Sequence, residues 1–149
     1  MTLSINDKLN ITLCGMMGSG KSVIGKILAN RINFTFIDID KLIEEKANKS
    51  ISKIFEEDGE NTFRKIEEEI TLDILKKRKT VVSLGGGSII NTNIRKSIKM
   101  NSYNVYLKVS NKILKKRLIK SKNRPLIYKK DINNILDTLL KKRENYYRN

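Results

Sequence analysis

The stretch Gly15-Met16-Met17-Gly18-Ser19-Gly20-Lys21-Ser22 constrains the fold of this chain more than any other. It reads G-x-x-x-x-G-K-S, a loop that cradles phosphate, and such a loop works only between a strand and a helix. Ile11-Thr12-Leu13-Cys14 before it is a short apolar run of strand formers. Val23-Ile24-Gly25-Lys26-Ile27-Leu28-Ala29 after it carries apolar residues at helical spacing. Glycines let successive backbone N–H groups turn inward around an anion, and the helix N-terminus adds partial positive charge. Lys21 can then reach the β- and γ-phosphates, and the Ser22 hydroxyl can bind Mg²⁺. A bound nucleoside triphosphate is the first expectation.

With 149 residues the chain is expected to form one domain, its core spanning about 9–149. A hydrophobic content of 39% against 32% charged residues fits a soluble globular protein. No apolar run approaches the roughly 18 residues of a membrane span, and residues 1–8 lack the features of a signal peptide. The single cysteine, Cys14, excludes an intrachain disulfide and reads as a small buried thiol. A cytoplasmic monomer is expected. The 31 basic residues against 16 acidic ones give a net charge of +15, which raises nucleic acid as a partner. These residues are dispersed rather than gathered in a tail, so no nucleic acid is expected, and a positive field also suits anionic small molecules.

Strand and helix patterns alternate along the chain, which implies βαβ units and a parallel sheet. Strands are expected at 34–38, 80–84 and 104–109, besides the one before the loop. Helical patterns fall at 42–46, 50–56, 60–77, 92–100, 110–119 (capped by Ser110) and 132–140. Ser50 suits an N-cap, Gly59 a helix stop, and Phe63, Ile66, Ile70 and Ile74 form one apolar stripe. Residues 120–131 are basic, hold the only proline, and fit a lid loop.

In open α/β sheets ligands bind beyond the carboxyl ends of the strands. Four strand ends here carry residues capable of chemistry. Asp38 and Asp40 alternate along one, so one carboxylate can face Mg²⁺ beside the phosphate loop and the other a second substrate. Arg64 lies at the edge of the Phe63 stripe, where a guanidinium can grip a carboxylate. The residues equally suit a surface arginine paired with Glu60 or Glu68. Gly85-Gly86-Gly87 exceeds what a turn needs and would let a ligand lie on the backbone, although a purely structural role stays open. Arg124 lies in the basic loop and Arg117 one helix-length earlier. A closing lid could bring Arg124 to a transferring phosphoryl group, and a solvated basic loop is the alternative. Arg143, alone, is uninformative.

Taken together, residues 15–22, Asp38-Ile39-Asp40, Gly59-Glu60 with Phe63-Arg64 and Glu67, Gly85-Gly86-Gly87, Arg124-Pro125-Leu126, and Arg143 with Tyr146 resemble the shikimate kinase family. The resemblance covers the chain from about Ile11 onward, in the family's order. It implies a three-layer α/β/α fold with a central parallel sheet, of the phosphate-loop, nucleoside-monophosphate-kinase-like type. It also implies phosphorylation of the 3-hydroxyl of shikimate by ATP, with Mg²⁺ as cofactor. ATP would be bound by Gly15, Met16, Met17, Gly18, Ser19, Gly20, Lys21, Ser22 and Val23, with Arg117 near the adenine and Arg124 arriving from the lid. Ser22 and Asp38 would organise Mg²⁺. Asp40 would bind the shikimate hydroxyls and take the proton, Arg64 and Arg143 would clamp the carboxylate, and Gly85, Gly86 and Gly87 would form the floor. The catalytic set is then Lys21, Asp40 and Arg124. In one respect the chain departs from the pattern: the family continues past the Tyr146 region into a further strand and helix, and this chain stops at Asn149. A related small-molecule kinase, such as a gluconate or nucleotide kinase, and a non-catalytic nucleotide-binding module are the alternatives.

Overall fold

The computed structural model of the protein describes residues 10–119 and 131–148. Four parallel strands form one sheet: β1 (Asn10–Cys14), β2 (Thr35–Asp38), β3 (Thr80–Ser83) and β4 (Ser102–Tyr106), in the order β2-β3-β1-β4. β1 pairs with β3 from Asn10↔Thr80 to Leu13↔Ser83, and with β4 from Asn10↔Ser102 to Cys14↔Tyr106. β2 pairs with β3 from Thr35↔Thr80 to Asp38↔Ser83. All strands therefore finish at the same edge of the sheet, as parallel pairing through crossover helices requires.

The two central strands are the two most apolar runs. β3 is buried along its whole length, whereas β4, at the sheet edge, is largely exposed. Asn10 pins the start of β1: its Nδ2 donates to the Leu75 and Lys77 carbonyls, and its Oδ1 accepts from the Thr80 amide and hydroxyl. A buried amide at a strand start is tolerable because every part of it is bonded.

Helices flank the sheet. α1 (Lys21–Ile32) packs on it through a small cluster of Leu13, Ala29 and Val81, with Phe34 and Phe36 alongside. Gly25 permits that approach, since a Cβ there would lie 2.4 Å from Cε2 of Phe36. The larger core gathers α2 (Ile39–Ala47), α4 (Gly59–Leu75), α5 (Thr92–Asn101), α6 (Asn111–Ile119) and α7 (Ile132–Arg148) around Val82 and Leu84. Phe63, Ile70 and Ile74 are buried there as the stripe on α4 foretold, with Ile66 packed against them.

Between α2 and α4 the chain departs from a simple helix. Ser50 caps α3 (Ile51–Lys53), its Oγ accepting from the Lys53 amide at 3.3 Å. A π-helical turn (Ile54–Asp58) follows, and Gly59 breaks it at φ +81°, a left-handed value that favours glycine. Other boundaries shift as well. β4 begins two residues before the expected strand, and α7 runs eight residues past residue 140. Among the described residues, no helix is long and apolar enough to cross a membrane.

Candidate active site

The phosphate loop joins β1 to α1 at the carboxyl edge of the sheet. Gly15 takes φ +144°, and a Cβ on it would sit 2.7 Å from the Leu107 carbonyl oxygen. Gly20 takes φ +98° as the residue before α1, and no side chain caps that helix. Its first-turn amides are thus left to the loop, the arrangement that attracts an anion. Lys21, the first residue of α1, folds back over the loop, its Nζ donating to the Gly15 and Met16 carbonyls at 2.9 and 3.0 Å. Ser19 is buried with its hydroxyl unpartnered among the described residues, and Val23 is exposed in the first turn of α1. Arg117, from α6, donates to the Gly18 carbonyl at 3.0 Å and so lies against the loop's outer side. Arg124 lies outside the described residues, as does the lid loop except for Asp131.

The Ser22 hydroxyl donates directly to Oδ2 of Asp38. Asp38 ends β2 and also caps α2, its Oδ1 accepting from the Lys41 amide at 3.4 Å. Two hard oxygen ligands thus meet beside the phosphate loop. They suit Mg²⁺, which takes one or two protein oxygens and completes its octahedron with phosphates and water. Among the described residues, no group of three or more acidic, histidine or cysteine side chains could hold a metal by itself.

Asp40 corrects the expectation drawn from strand alternation. It stands in the first turn of α2, not on the strand, because Asp38 already starts the helix. The two carboxylates diverge through helical rotation, and Asp40 turns toward Gly85.

The three glycines after β3 have ordinary negative or extended backbones, since none of them is among the positive-φ glycines. Space is what they supply. A Cβ on Gly85 would lie 2.5 Å from Oε1 of Glu67, 2.9 Å from the Ser88 hydroxyl and 3.0 Å from Oδ1 of Asp40. One on Gly87 would lie 2.8 Å from Nη2 of Arg64. One on Gly86 would lie 3.4 Å from Nη1 of Arg143, 3.6 Å from the Met17 amide and 3.8 Å from the Gly15 carbonyl. Each missing side chain leaves room for a charged neighbour, and Gly86 looks across at the phosphate loop.

Arg64 is held from several sides. Nη1 donates to Oε2 of Glu67 at 2.6 Å, Nη2 and Nε approach Glu60 at 3.3 and 3.4 Å, and Cζ lies 5.1 Å from the Phe63 ring centroid. Burial alone would pull the guanidinium pKa down, but the charge and hydrogen bonds of Glu67 and Glu60 outweigh it and raise the pKa. The alternative of a merely surface pairing meets half its expectation: Glu60 is the solvent partner, whereas Glu67, only 2% exposed, is the tight one. Glu67 also accepts from the Ser88 hydroxyl at 2.5 Å, a partner that nothing in the sequence signalled.

Arg143 comes from α7 and is 6% exposed, yet its Nε has no hydrogen-bond partner among the described residues. A buried unpaired donor on a charged group is costly unless something arrives to bind it. Tyr146, the residue matched with Arg143 by sequence, instead points outward and lies under Arg95 at 4.5 Å. Tyr147 is the buried one, its hydroxyl donating to the Gly86 carbonyl at 2.5 Å. The spacing from Arg143 to Tyr147, one helical turn, could have found it had α7 been carried past residue 140.

A nucleotide-cradling loop facing a cluster of carboxylates and guanidinia, at the carboxyl edge of a parallel sheet, defines a small-molecule phosphotransferase of the phosphate-loop class. The match is finer than that class. The family model for shikimate kinase covers residues 17–149. The shikimate kinase of Chlorobium limicola is 44% identical over 145 residues, covering 92% of this chain and 73% of its own length. That of a Sulfurihydrogenibium species is 45% identical over 139 residues, covering 93% and 82%. A solved shikimate kinase from Acinetobacter baumannii, in complex with shikimate, superposes with a TM-score of 0.91 at 35% identity over 94% of this chain and 78% of that one. The chain belongs to the shikimate kinase family. A deoxyadenosine kinase from M. mycoides, at 18% identity and a TM-score of 0.60, shares the fold alone.

Proposed function

We propose that this protein is an ATP-dependent kinase that transfers the γ-phosphoryl group of ATP to the 3-hydroxyl of shikimate, giving shikimate 3-phosphate and ADP. The observation that carries this reading is the Gly85–Gly87 floor. It brings Asp40, Arg64 and Arg143 together and sets Gly86 opposite Met17 and Gly15 of the phosphate loop. One side is built for a polyphosphate. The other offers guanidinia for a carboxylate and a carboxylate for hydroxyls, the groups that shikimate carries.

In this mechanism the loop amides and Lys21 hold the β- and γ-phosphates, with Gly15 through Val23 lining the ATP and Arg117 bordering it. The 3-hydroxyl oxygen forms a bond to the γ-phosphorus while the bond to the β–γ bridging oxygen breaks, and ADP leaves with that electron pair. The hydroxyl proton passes to Asp40. Arg64 and the Nε of Arg143, which bonds to none of the described residues, clamp the shikimate carboxylate, with Glu67 fixing Arg64 in place. Ser22 and Asp38 would hold Mg²⁺, which neutralises charge on the phosphates when bound. Arg124 would arrive from the lid, residues 120–131, to face the transferring group. ATP and shikimate are the partners in this reading, and the whole chain, 1–149, acts as one domain.

The test is ADP release in Mg²⁺ with and without shikimate. A strong stimulation by shikimate, with gluconate and nucleoside monophosphates inactive, is the expected result, and equal turnover without shikimate would overturn the reading. In the same assay Arg64→Ala should raise the KM for shikimate on the order of 10-fold or more, the magnitude of a lost charged hydrogen bond, while the KM for ATP holds.

A further inference from the structure

We propose that Tyr147 is a positioning residue that locks the acceptor-site floor to the phosphate loop and holds the Arg143 guanidinium in place. The proposal rests on the kinase reading above but concerns a residue that touches neither substrate.

Four neighbours meet this side chain, and a fifth meets its backbone. Its hydroxyl donates to the Gly86 carbonyl at 2.5 Å and lies 3.8 Å from Sδ of Met16, in the phosphate loop. The Arg143 guanidinium, one helical turn earlier on α7, is near enough to the same hydroxyl to pull its pKa down. With its proton given to Gly86, the phenol oxygen can turn only its lone pairs toward a guanidinium, which has no acceptor of its own. The ring stacks on Tyr106 with centroids 5.0 Å apart at 21°, anchored at the end of β4. The Tyr147 carbonyl, finally, receives the Cys14 thiol at 3.9 Å, at the end of β1.

Gly86 is the place where the two half-sites meet, for Arg143 lies on one side of it and Met17 and Gly15 on the other. A glycine there has no side chain with which to hold its own position. One buried hydroxyl bonded to its carbonyl, and touching the phosphate loop, sets the distance between donor and acceptor halves. Phosphoryl transfer depends mainly on such positioning.

Tyr147→Phe keeps the ring, its stacking and its volume and removes only the hydroxyl. The KM for shikimate is expected to rise about 10-fold, the effect of one misplaced charged hydrogen bond, with the KM for ATP within about twofold. Tyr146→Phe is the control. Tyr146 is 37% exposed and stacks outward on Arg95, so its kinetics should match the parent protein. A wild-type shikimate KM in Tyr147→Phe, or an equal rise in both KM values, would defeat the proposal, since a purely structural loss moves stability without this split. Amide hydrogen exchange reads the lock without the reaction. The Leu84 and Ser88 amides, which flank the glycines and bond to Leu13 and Gly85, should exchange about tenfold faster in Tyr147→Phe. Unchanged exchange there would sink the proposal even if the parent chain phosphorylated something else, whereas absent shikimate stimulation of the parent overturns only the kinase reading.

Discussion

Gly85 and Gly87 look alike in the sequence and differ sharply in what surrounds them. A Cβ on Gly85 would press on the Glu67 carboxylate, which is buried and fixed at both oxygens by Arg64 and Ser88. It cannot retreat without breaking a bond. A Cβ on Gly87 would press on the tip of Arg64, the far end of a flexible side chain whose surface is 32% exposed. Gly85→Ala is therefore expected to lower thermal stability by about 1–3 kcal/mol, the range for overpacking a filled site. Gly87→Ala should lower the melting temperature less, since only the partly exposed Arg64 tip has to shift, and raise the KM for shikimate. Melting curves and KM measurements on the two variants check this, and the reverse assignment of effects would show that the glycines serve the backbone rather than their neighbours. The residue scale is also where sequence was read best. Ser22 and Asp38 announce themselves by type and spacing, because a hydroxyl after Lys in this loop and a carboxylate at the neighbouring strand end have few other uses, whereas Arg64 suits a surface pairing equally well. Tyr147 did not, since one tyrosine beside another carries no mark of which faces inward until the helix is known to continue.

Elements place these residues, and their packing sets tolerances that no motif records. α1 lies so close to the sheet that a Cβ on Gly25 would stand 2.4 Å from Cε2 of Phe36 and 3.1 Å from Cδ1 of Leu13. Replacing glycine by alanine inside a helix ordinarily stabilises by about 1 kcal/mol. Here the clash, on the order of 2–3 kcal/mol for overpacking, should win. Gly25→Ala is expected to shift the urea midpoint downward by a net loss of about 1–2 kcal/mol, and Phe36→Leu in the same chain should recover part of it. A stabilised Gly25→Ala protein would mean that α1 can move outward freely. The element boundaries were legible where capping chemistry is local: Ser50 and Gly59 both fall where their side chain, or lack of one, is used. The π-helical turn between them was not, because its apolar spacing resembles that of any short helix. Asp40 belongs to the helix rather than the strand for a related reason, since Asp38 serves at once as strand end, cap and partner of Ser22.

At the scale of the molecule the strand order β2-β3-β1-β4 puts four loops on one edge. Alternation of strand and helix patterns foretold a parallel sheet, but not this order, which depends on which apolar run is buried on both sides. The order also explains why the last helix matters to stability. α7 reaches the sheet through Tyr147, whose hydroxyl closes onto Gly86 and whose neighbours include Arg143, Cys14 and Tyr106. Burial pushes its phenol pKa from 10.0 up to about 12, against the pull of Arg143 and with small further increases from Cys14 and Tyr106. A folded pKa above the unfolded one means that the native state retains a proton the unfolded chain has released. Its stabilising contribution is complete below pH about 10 and is lost as pH rises toward 12. The Cys14 thiol, raised chiefly by its burial, acts in the same direction. General repulsion runs the other way, because a chain of net charge +15 loses positive charge as its lysines deprotonate. Comparison with Tyr147→Phe separates these effects, for both proteins share the lysines and the thiol. The parent should be the more stable below pH 10, and its advantage should shrink by about 2–3 kcal/mol, the free energy of a two-unit shift, between pH 10 and 12. Urea unfolding at intervals across that range measures the gap, and a gap that stays constant would mean that the phenol ionises as easily in the folded protein as in water.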